Sequence, residues 1–218
     1  MVEPVQGEAG VIVPPDGYLK QVKELCEEHN VLMIADEVQS GLGRTGYDLA
    51  VQHDDCKPDI VILGKALSGG VLPVSAVLAS HEVMLQLKPG EHGSTYGGNP
   101  LACKVATAAL QVLRDENLNQ NSTERGKQLR DGLRTLVGST AIETVRGRGL
   151  FTAMVIDQPQ MGYGDKGTAW DLCFFMMKNG LLAKPTHGNI IRFAPPLTIT
   201  ESEIDTCLGI IEKSIREL

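Results

Sequence analysis

Val31-Leu-Met-Ile-Ala-Asp-Glu37 and Ile60-Val-Ile-Leu-Gly-Lys65 are two apolar runs around which the rest of the chain can be arranged. A near-continuous apolar run of this length is typical of a parallel strand that is buried on both faces. The first run ends in an acid and the second in an amine, and an unpaired charge is costly to bury. We therefore expect Asp36 and Lys65 to be directed at one common ligand.

Strand and helix patterns alternate around these two runs. Residues 18–29 carry apolar side chains at helical spacing and predict an amphipathic helix before the first run. A glycine-rich loop and a short helical segment near residues 49–53 separate the two runs. This order of elements predicts parallel crossover units of an α/β fold, with helices on both faces. Residues 74–80 follow Lys65 too closely for a crossover, so we expect an antiparallel strand there.

A change of character in the second half of the chain predicts a second domain. Pro100 suits the first position of a helix, and residues 101–113 are apolar nearly all round, so we expect that helix to be buried. A polar break over residues 117–122 follows, in which Asn121 and Glu124 have the spacing of a capping box. We place the boundary there. Residues 1–118 are then part of a large domain with a mostly parallel sheet, and residues 119–218 form a smaller α+β domain.

The smaller domain has a strand and helix pattern of its own. Helices are predicted over residues 129–137, 168–179 and 201–218, and strands over residues 142–146, 150–156, 181–183 and 190–194, with a glycine-rich loop over residues 162–167. The strands are short and follow one another without a regular crossover, which favours an α+β arrangement over a second parallel sheet.

Composition and charge exclude several classes of function. Of the 218 residues, 42% are hydrophobic and 22% charged, and the formal net charge is −7. This acidic balance argues against nucleic acid and against an anionic membrane surface as partners. The five cysteines are widely spaced and indicate neither a disulfide framework nor a zinc site, and the five histidines have no ligand-like spacing. We find no apolar stretch of about 20 residues and no leader pattern.

Asp36 and Lys65 are the two strongest candidates for chemistry. Open α/β sheets bind ligands at the C-terminal ends of their parallel strands, and a carboxylate there can keep a pyridine nitrogen protonated. The alternative for Asp36 is a loop or helix-capping carboxylate. Desolvation of Lys65 at the end of a buried strand would favour the neutral amine that forms Schiff bases. Its alternative is a surface lysine whose amine reaches the solvent.

Two glycine-rich loops are candidate phosphate sites. Gly41-Leu-Gly-Arg-Thr-Gly46 matches the dinucleotide fingerprint, but no long helix opens at its third glycine and Asp36 and Glu37 would repel a pyrophosphate, so we expect an ordinary loop. Ser94 and Thr95 lie just before a predicted helix N-terminus, a place where backbone N–H groups and hydroxyls bind phosphate readily. A plain connector with turn residues is the alternative.

Arg192 and Glu8 are candidates for substrate contact. Arg192 lies inside the apolar strand Ile190-Ile-Arg-Phe-Ala194, and its planar guanidinium is suited to a substrate carboxylate. A structural salt bridge explains the same pattern equally well. Glu8, in Gly7-Glu-Ala9, is its possible partner, or a loop acid.

Taken together, these stretches resemble the class III pyridoxal-phosphate-dependent aminotransferases over the whole length of the chain. The most specific stretches are Val2-Glu-Pro-Val-Gln-Gly-Glu-Ala-Gly10, Ala35-Asp-Glu-Val-Gln39, Gly64-Lys-Ala-Leu-Ser-Gly-Gly70, Gly90-Glu-His-Gly-Ser-Thr-Tyr-Gly-Gly-Asn-Pro100, Leu182-Ala-Lys-Pro-Thr-His-Gly188 and Ile190-Ile-Arg-Phe-Ala-Pro-Pro196. The resemblance implies the fold-type-I transferase architecture, with pyridoxal 5′-phosphate as cofactor and a homodimer or higher oligomer with sites at the interface.

The resemblance also implies a role for each candidate residue. Lys65 binds the cofactor covalently and moves a proton, Asp36 pairs with the pyridinium nitrogen, and Gln39 contacts the ring's 3′-oxygen. Ser94 and Thr95 resemble a loop that reaches the phosphate of the other subunit's cofactor. Arg192 resembles the arginine that binds the α-carboxylate of glutamate, and Glu8 the acid that holds it aside. The implied reaction transfers the δ-amino group of ornithine to 2-oxoglutarate, giving glutamate 5-semialdehyde and glutamate.

Alternatives remain within the resemblance. Acetylornithine or 4-aminobutyrate as amino donor would preserve Lys65, Asp36 and Thr95. Family members are much longer, so we also expect these residues to be part of a longer chain, and an inactive fragment is a further interpretation. The implied location is the mitochondrial matrix in a eukaryote and the cytoplasm in a bacterium.

Overall fold

Two sheets organise the protein. The structure is a computed structural model that describes residues 1–157 and 169–217, so the glycine-rich loop predicted over residues 162–167 lies outside the described residues. A three-stranded sheet is built from the first half of the chain, and a four-stranded sheet is built from the second half. Two long helices follow one another between the strands of the first sheet and those of the second.

The first sheet contains the two apolar runs as neighbours. Its strands are β1 (Ile34–Asp36), β2 (Ile60–Leu63) and β3 (Ala76–Ala79), in the order β1-β2-β3. β1 and β2 are parallel, and β3 is antiparallel to β2. Val2 adds a parallel bridge to Ala35 on the outer side of β1. The predicted parallel pair and the predicted antiparallel strand are therefore both present.

β1 is shorter than its apolar run predicts. Val31 and Leu32 are both more than half exposed and precede the strand. The physical reason is the helix before them, because the backbone N–H of Val31 donates to the carbonyl of Cys26 at 2.8 Å and continues the helix end. Only the last part of the apolar run is free to pair with β2.

Helix α1 (Tyr18–Glu28) confirms the predicted amphipathic helix and packs on the first sheet. Leu19 belongs to a buried cluster with Met33, Ala35 and Val51. A 3₁₀ turn (Ala50–Asp54) occupies the predicted helical segment between the two strands. Oδ2 of Asp54 accepts a hydrogen bond of 2.9 Å from the backbone N–H of Leu19, which connects this turn to the start of α1.

Helices α2 (His81–Met84) and α3 (Pro100–Asp115) follow the first sheet. Pro100 begins α3 as predicted, and Asn99 caps it by accepting from two backbone N–H groups. The predicted burial of α3 is wrong, because Leu101, Leu110 and Val112 are exposed. Among the described residues, the main contacts of the helix are with the turn after β2 and with the next helix.

Helix α4 (Leu118–Arg134) replaces the predicted polar break and its capping box. Asn121 is inside the helix, and its side-chain amide donates to the carbonyls of Leu197 and Ile199 at 2.6 and 2.9 Å. The polar residues that suggested a break are therefore used for contacts with the C-terminal segment. The proposed domain boundary at residues 118/119 coincides with the first residues of α4, and it stays a prediction.

The second sheet has the predicted α+β character. Its strands are β4 (Ile142–Arg148), β5 (Phe151–Ile156), β6 (Lys184–Thr186) and β7 (Ile190–Phe193), all antiparallel in the order β4-β5-β7-β6. Helices α5 (Ala169–Lys178) and α6 (Glu201–Arg216) contact each other, and α6 contacts α4. Side chains from α4, α5, α6 and the sheet share one buried core.

The strand predicted over residues 181–183 exists, but its predicted position is wrong. β6 begins only at Lys184, because the backbone N–H of Leu181 donates to the carbonyl of Met176 at 2.8 Å and extends the end of α5. The strands predicted over residues 142–146, 150–156 and 190–194 are confirmed with small changes at their ends.

Arg44 and Arg146 connect the two halves of the chain. Nη1 of Arg44 donates to the carbonyls of Leu150 and Pro195 at 3.1 and 2.6 Å. The side chain of Arg146 donates to the carbonyl of Gly10. Burial lowers the pKa of Arg44 to about 10, which is still well above neutral, so its guanidinium remains charged at neutral pH. These bonds hold the N-terminal segment and the glycine loop against the second sheet.

Candidate active site

Asp36 and Lys65 leave the first sheet at the same edge. Asp36 is paired in register with Ile62 of the parallel neighbour, and Lys65 follows three residues later. Oδ1 of Asp36 accepts a hydrogen bond of 3.1 Å from the backbone N–H of Val38, which also fits the alternative of a loop carboxylate. Neither a hydrogen bond nor an ion pair joins Asp36 to Lys65 in the residues that the structure describes.

Lys65 is exposed when only the described residues are considered, so the prediction that its amine is desolvated is wrong for this part of the chain. β2 ends at Leu63, and after Gly64 the chain turns into a 3₁₀ turn (Lys65–Ser68) that carries the lysine out of the sheet. The backbone of Lys65 has φ +42°, a left-handed conformation that residues with a Cβ adopt at a cost. Strained residues of this kind are concentrated at functional sites.

Arg192 of β7 and Glu8 form the predicted pair. Nη1 of Arg192 lies 3.0 Å from Oε2 of Glu8, 3.1 Å from the carbonyl oxygen of Gly7 and 3.4 Å from Oε1 of Gln39. The hydrogen bond from Arg192 and its charge lower the pKa of Glu8, with smaller contributions from the charges of Lys184 and Lys65. The structure therefore brings Glu8, Gln39 and Arg192 together, with Lys65 close enough to act on Glu8 through its charge.

Local backbone geometry explains how Glu8 and Gln39 reach Arg192. The side chain of Gln39 lies so close to Gly7 that a Cβ at Gly7 would come within 2.7 Å of it. The carbonyl of Glu8 accepts a hydrogen bond of 3.0 Å from the hydroxyl of Thr186 in β6. The segment at Gly7 and Glu8 is thus held between Gln39, which follows β1 of the first sheet, and β6 at the edge of the second sheet.

Asp36 lines a cavity to which Glu8, Gln39 and Arg192 do not contribute. A cavity of about 370 Å³ near the start of the chain is lined by Asp36, Glu3 and Gln6. No contact in the described residues links Asp36 with Glu8 or Arg192. The prediction that Asp36 and Lys65 face one ligand therefore has support from their common sheet edge and stays a prediction.

Ser94 and Thr95 lie in an exposed loop before α3. The hydroxyl oxygen of Ser94 accepts a hydrogen bond of 2.8 Å from the backbone N–H of Gly97. An open cleft of about 930 Å³ is lined by both Ser94 and Lys65. The structure thus places Ser94 on the same cleft as the lysine, and the predicted contact of the two hydroxyls with another subunit's phosphate stays a prediction.

Glu37 is a buried acid beside the candidate site, and the sequence pattern did not single it out for a role there. It is 1% exposed, and its carboxylate accepts hydrogen bonds from the hydroxyl of Ser40 at 2.6 Å and the backbone N–H of Val51 at 2.9 Å. Burial raises the pKa of Glu37 from its ordinary value of 4.5. This acid fixes the loop after β1 on which Gln39 lies. An acid directly after an apolar strand and three residues before a serine was the available signal.

The loop Gly41–Gly46 has a packing role. A Cβ at Gly43 would lie 2.7 Å from Leu113, and one at Gly46 would lie 2.3 Å from the hydroxyl of Thr123. No helix begins at Gly46, where the dinucleotide motif requires one. The glycines allow α3 and α4 to approach the loop closely, which agrees with the prediction of an ordinary loop.

Two negative findings apply to residues 1–157 and 169–217. No group of three or more histidine, cysteine or acidic side chains in these ranges could hold a metal ion. All five cysteines are free thiols. No helix in the same ranges has the length and apolarity that crossing a membrane requires.

The chemistry of the side chains fits pyridoxal phosphate. A lysine amine just after one parallel strand, a carboxylate at the end of its neighbour, an amide at Gln39 and hydroxyls in the loop before α3 match the aldehyde, pyridine nitrogen, ring oxygen and phosphate of this cofactor. The sequence as a whole leads to the same class. Residues 1–215 match the family described as Aminotransferase class-III, so the chain belongs to the class III aminotransferases.

Several relatives within the class are named ornithine aminotransferases. The chain is 59% identical over 215 residues to the mitochondrial ornithine aminotransferase of Drosophila melanogaster. The matched region covers 99% of this chain and 48% of that protein. The chain therefore spans about half the length of the curated relatives it matches.

Two solved structures are similar over nearly the whole chain. The ornithine aminotransferase of Toxoplasma gondii, described with partial occupancy of PLP at its active site, has a TM-score of 0.93 at 49% identity and covers 99% of this chain and 50% of its own. The acetylornithine aminotransferase of Elizabethkingia anophelis has a TM-score of 0.93 at 57% identity and covers 100% of this chain and 56% of its own. The predicted fold class, a partial fold-type-I transferase, is confirmed.

Proposed function

We propose that the chain contributes to the pyridoxal-phosphate-dependent transfer of the δ-amino group of ornithine to 2-oxoglutarate, which yields glutamate 5-semialdehyde and glutamate. The observation that carries this proposal is the pair of Arg192 with Glu8 at 3.0 Å, beside Gln39 and within the electrostatic reach of Lys65. Its occurrence in a chain 59% identical to an ornithine aminotransferase supports the substrate.

Each candidate residue has a distinct task in this proposal. Bound pyridoxal phosphate supplies an electron sink for the carbanion that forms when the substrate loses a proton. Lys65 would hold the cofactor through Nζ and, once released from it, would move the proton. The carboxylate of Asp36 would face the pyridinium nitrogen, and the amide of Gln39 would face the 3′-oxygen of the ring. Ser94 and Thr95 would bind the phosphate through their hydroxyls.

The pair of Glu8 and Arg192 distinguishes the two substrates. Ornithine presents a cationic amine to the site, and Glu8 neutralises the guanidinium of Arg192, which would otherwise repel that amine. Glutamate presents its α-carboxylate, which replaces Glu8 on the planar guanidinium in a charge-assisted contact. A carboxylate that is mainly exposed, as that of Glu8 is, can leave Arg192 at little desolvation cost.

Acetylornithine is the second candidate donor. The structure from Elizabethkingia anophelis is 57% identical to this chain and bears that name. An aminotransferase for 4-aminobutyrate would also use a lysine and an acid in these places. Relative rates with ornithine, acetylornithine and 4-aminobutyrate separate the three, and a rate with ornithine below that with acetylornithine would contradict the assignment.

Partners and location are part of the same proposal. We propose a homodimer or higher oligomer in which Ser94 and Thr95 serve the cofactor of a neighbouring subunit. Several relatives are named mitochondrial, and we propose the mitochondrial matrix for a eukaryotic source and the cytoplasm for a bacterial one.

Cofactor titration tests the proposal most directly. The protein should gain a visible absorbance band with added pyridoxal phosphate, and Lys65→Ala should lose the covalent component that survives reduction with borohydride. Lys57→Ala is the matched control, because Lys57 is an exposed lysine outside the site. A wild-type chain that binds no cofactor would favour the alternative of an inactive fragment, and mixing with a full-length homologue would then show whether it pairs with one.

A further inference from the structure

A second polar cleft lies away from the candidate active site. Its volume is about 690 Å³, and three segments form its walls: the loop at Thr45–Tyr47, helix α4, and the turn between β4 and β5. We call it the arginine cleft, because Arg130 and Arg148 both line it. Lys65, Asp36, Gln39 and Arg192 are not among its lining residues.

Close backbone contacts fix the walls of the arginine cleft. A Cβ at Gly149, whose φ is +53°, would lie 2.5 Å from the backbone of Thr45. A Cβ at Gly126 of α4 would lie 1.8 Å from the carbonyl oxygen of Gly149. The turn, the loop and the helix are therefore packed directly against one another, and the cleft is an opening between fixed elements.

Arg130 offers unused hydrogen-bond donors to the cleft. Its Nη1 donates to the carbonyl of Gly149 and to the hydroxyl of Thr152, and its Nε and Nη2 have no acceptor among the described residues. The nearest acid in sequence, Asp131, pairs with Lys127 and Arg134 instead. Burial lowers the pKa of Arg130 to about 10, which is still well above neutral. The partly buried guanidinium therefore remains charged at neutral pH although it has no carboxylate partner.

Arg148 has a partner that can be displaced. Its Nη2 lies 2.6 Å from Oδ1 of Asp16, but the side chain of Asp16 is 97% exposed whereas that of Arg148 is 14% exposed. An exposed carboxylate of this kind contributes little to such a pair. The charge of Arg148 also acts on His53. Burial has the largest effect in lowering the pKa of that ring, and the charge of Arg148 lowers it further. Asp16 is the acid that lines the cleft.

The remaining walls suit a small polar ligand. The rings of Tyr47 and His53 meet edge to face with centroids 4.6 Å apart, and Nε2 of His53 lies 3.0 Å from the carbonyl oxygen of Thr45. This contact orients the imidazole and leaves Nδ1 without a partner in the described residues. The cleft thus combines two guanidinium groups with an oriented aromatic pair.

We propose that the arginine cleft binds the oxyanion of a small molecule, phosphate or carboxylate, on the guanidinium of Arg148, with Arg130 on the wall of the same cleft, and that Asp16 occupies part of this site when the ligand is absent. Guanidinium groups bind such oxyanions through paired N–H donors. A ligand there contacts the loop of the first sheet, α4 and the turn of the second sheet at once. The site is separate from the proposed transamination site and does not depend on it.

Calorimetric titration with inorganic phosphate tests the site in four proteins. Arg148→Gln should weaken phosphate binding about tenfold or more, since hydrogen bonds to charged groups are the strong ones. Asp16→Asn should strengthen it about threefold, because a competing carboxylate is removed, and this exposed residue can change without loss of the fold. Arg134→Gln is the matched control, an exposed arginine on α4 outside the cleft, and should leave binding unchanged.

Localisation and ligand class need two further readouts. The ring proton resonances of His53 should move with added phosphate, whereas those of His29 at the end of α1 should not. Titration with succinate in place of phosphate shows whether carboxylates bind as well, and binding of either anion with the same variant pattern supports the site. Absence of binding to the wild type, equal losses in Arg148→Gln and Arg134→Gln, or an Asp16→Asn variant that binds more weakly would overturn the proposal.

Discussion

Nη1 of Arg192 and Oε2 of Glu8 lie 3.0 Å apart, although 184 residues separate them in the chain. The side chain of Glu8 is 63% exposed and that of Arg192 is 21% exposed. An ion pair with one partner this exposed contributes little to folding stability. Its main effect is on the charge that the site presents, because Glu8 neutralises a guanidinium that is otherwise surrounded by the carbonyl of Gly7 and the amide of Gln39.

Substitution of Glu8 should therefore affect the two substrates differently. Glu8→Ala leaves the charge of Arg192 uncompensated, so we expect kcat/KM for ornithine to fall about tenfold or more, a loss of about 1.4 kcal/mol in transition-state binding. The value for glutamate should change by less than about threefold, because its carboxylate replaces Glu8 on Arg192. Steady-state kinetics with each amino donor measure both. Glu24→Ala, an exposed acid on α1, is the control. Equal losses for both donors would contradict the ornithine assignment.

The ionisation of Glu8 should depend on Arg192. The hydrogen bond and charge of Arg192 lower the pKa of Glu8 below its ordinary 4.5. An acid with a lowered pKa in the folded state stabilises the fold at pH above 4.5, and this contribution is lost as the pH falls through the lowered pKa. Carbon-13 NMR titration of the Glu8 carboxyl measures it. In Arg192→Ala the pKa of Glu8 should rise toward 4.5, and an unchanged value would show that the pair does not form in solution.

Much of the first sheet followed from periodicity, because the two apolar runs and their spacing define a parallel pair. The limits of the strands did not follow. Val31 and Leu32 look like strand residues, yet a hydrogen bond from Val31 to the end of α1 removes them from β1. The apolar faces of α3 are a similar case, since Leu101 and Val112 are exposed. An apolar pattern indicates that a face favours burial and does not identify the element that covers it.

The site was predictable in part for a related reason. Arg192 inside an apolar strand signalled a partner, and the structure supplies Glu8. Lys65 was expected to be buried, but the turn after Gly64 directs it outward, and the angles of such a turn are not visible in a strand pattern. Glu37 was missed because its role depends on Ser40 and on the backbone of Val51, and only the folded chain brings that backbone near.

Arg44 should contribute more to folding stability than the exposed ion pair of Glu8 and Arg192 does. Its guanidinium satisfies the carbonyls of Leu150 and Pro195, and each buried acceptor left without a donor costs about 1–3 kcal/mol. We expect Arg44→Gln to lower the free energy of unfolding by about 2–4 kcal/mol. Urea denaturation followed by circular dichroism measures this loss. Arg134→Gln removes an exposed arginine and should change the free energy by less than about 0.5 kcal/mol. Similar losses in the two variants would show that the contacts of Arg44 are dispensable.

Two helical glycines should respond to alanine with opposite signs. Gly126 lies in α4, where a Cβ would come within 1.8 Å of the carbonyl oxygen of Gly149, so Gly126→Ala forces the helix and the β4–β5 turn apart and should cost about 1–3 kcal/mol. Gly209 lies in α6 and is exposed, with nothing within 4 Å of its added Cβ. Gly209→Ala should stabilise the protein by about 0.5–1 kcal/mol, because alanine loses less backbone entropy in a helix than glycine does. Urea midpoints of the two variants and the wild type provide the comparison. Both substitutions add the same methyl group to a helix. A neutral Gly126→Ala would mean that α4 does not pack on the turn as described, and a destabilised Gly209→Ala would mean that this face of α6 is covered.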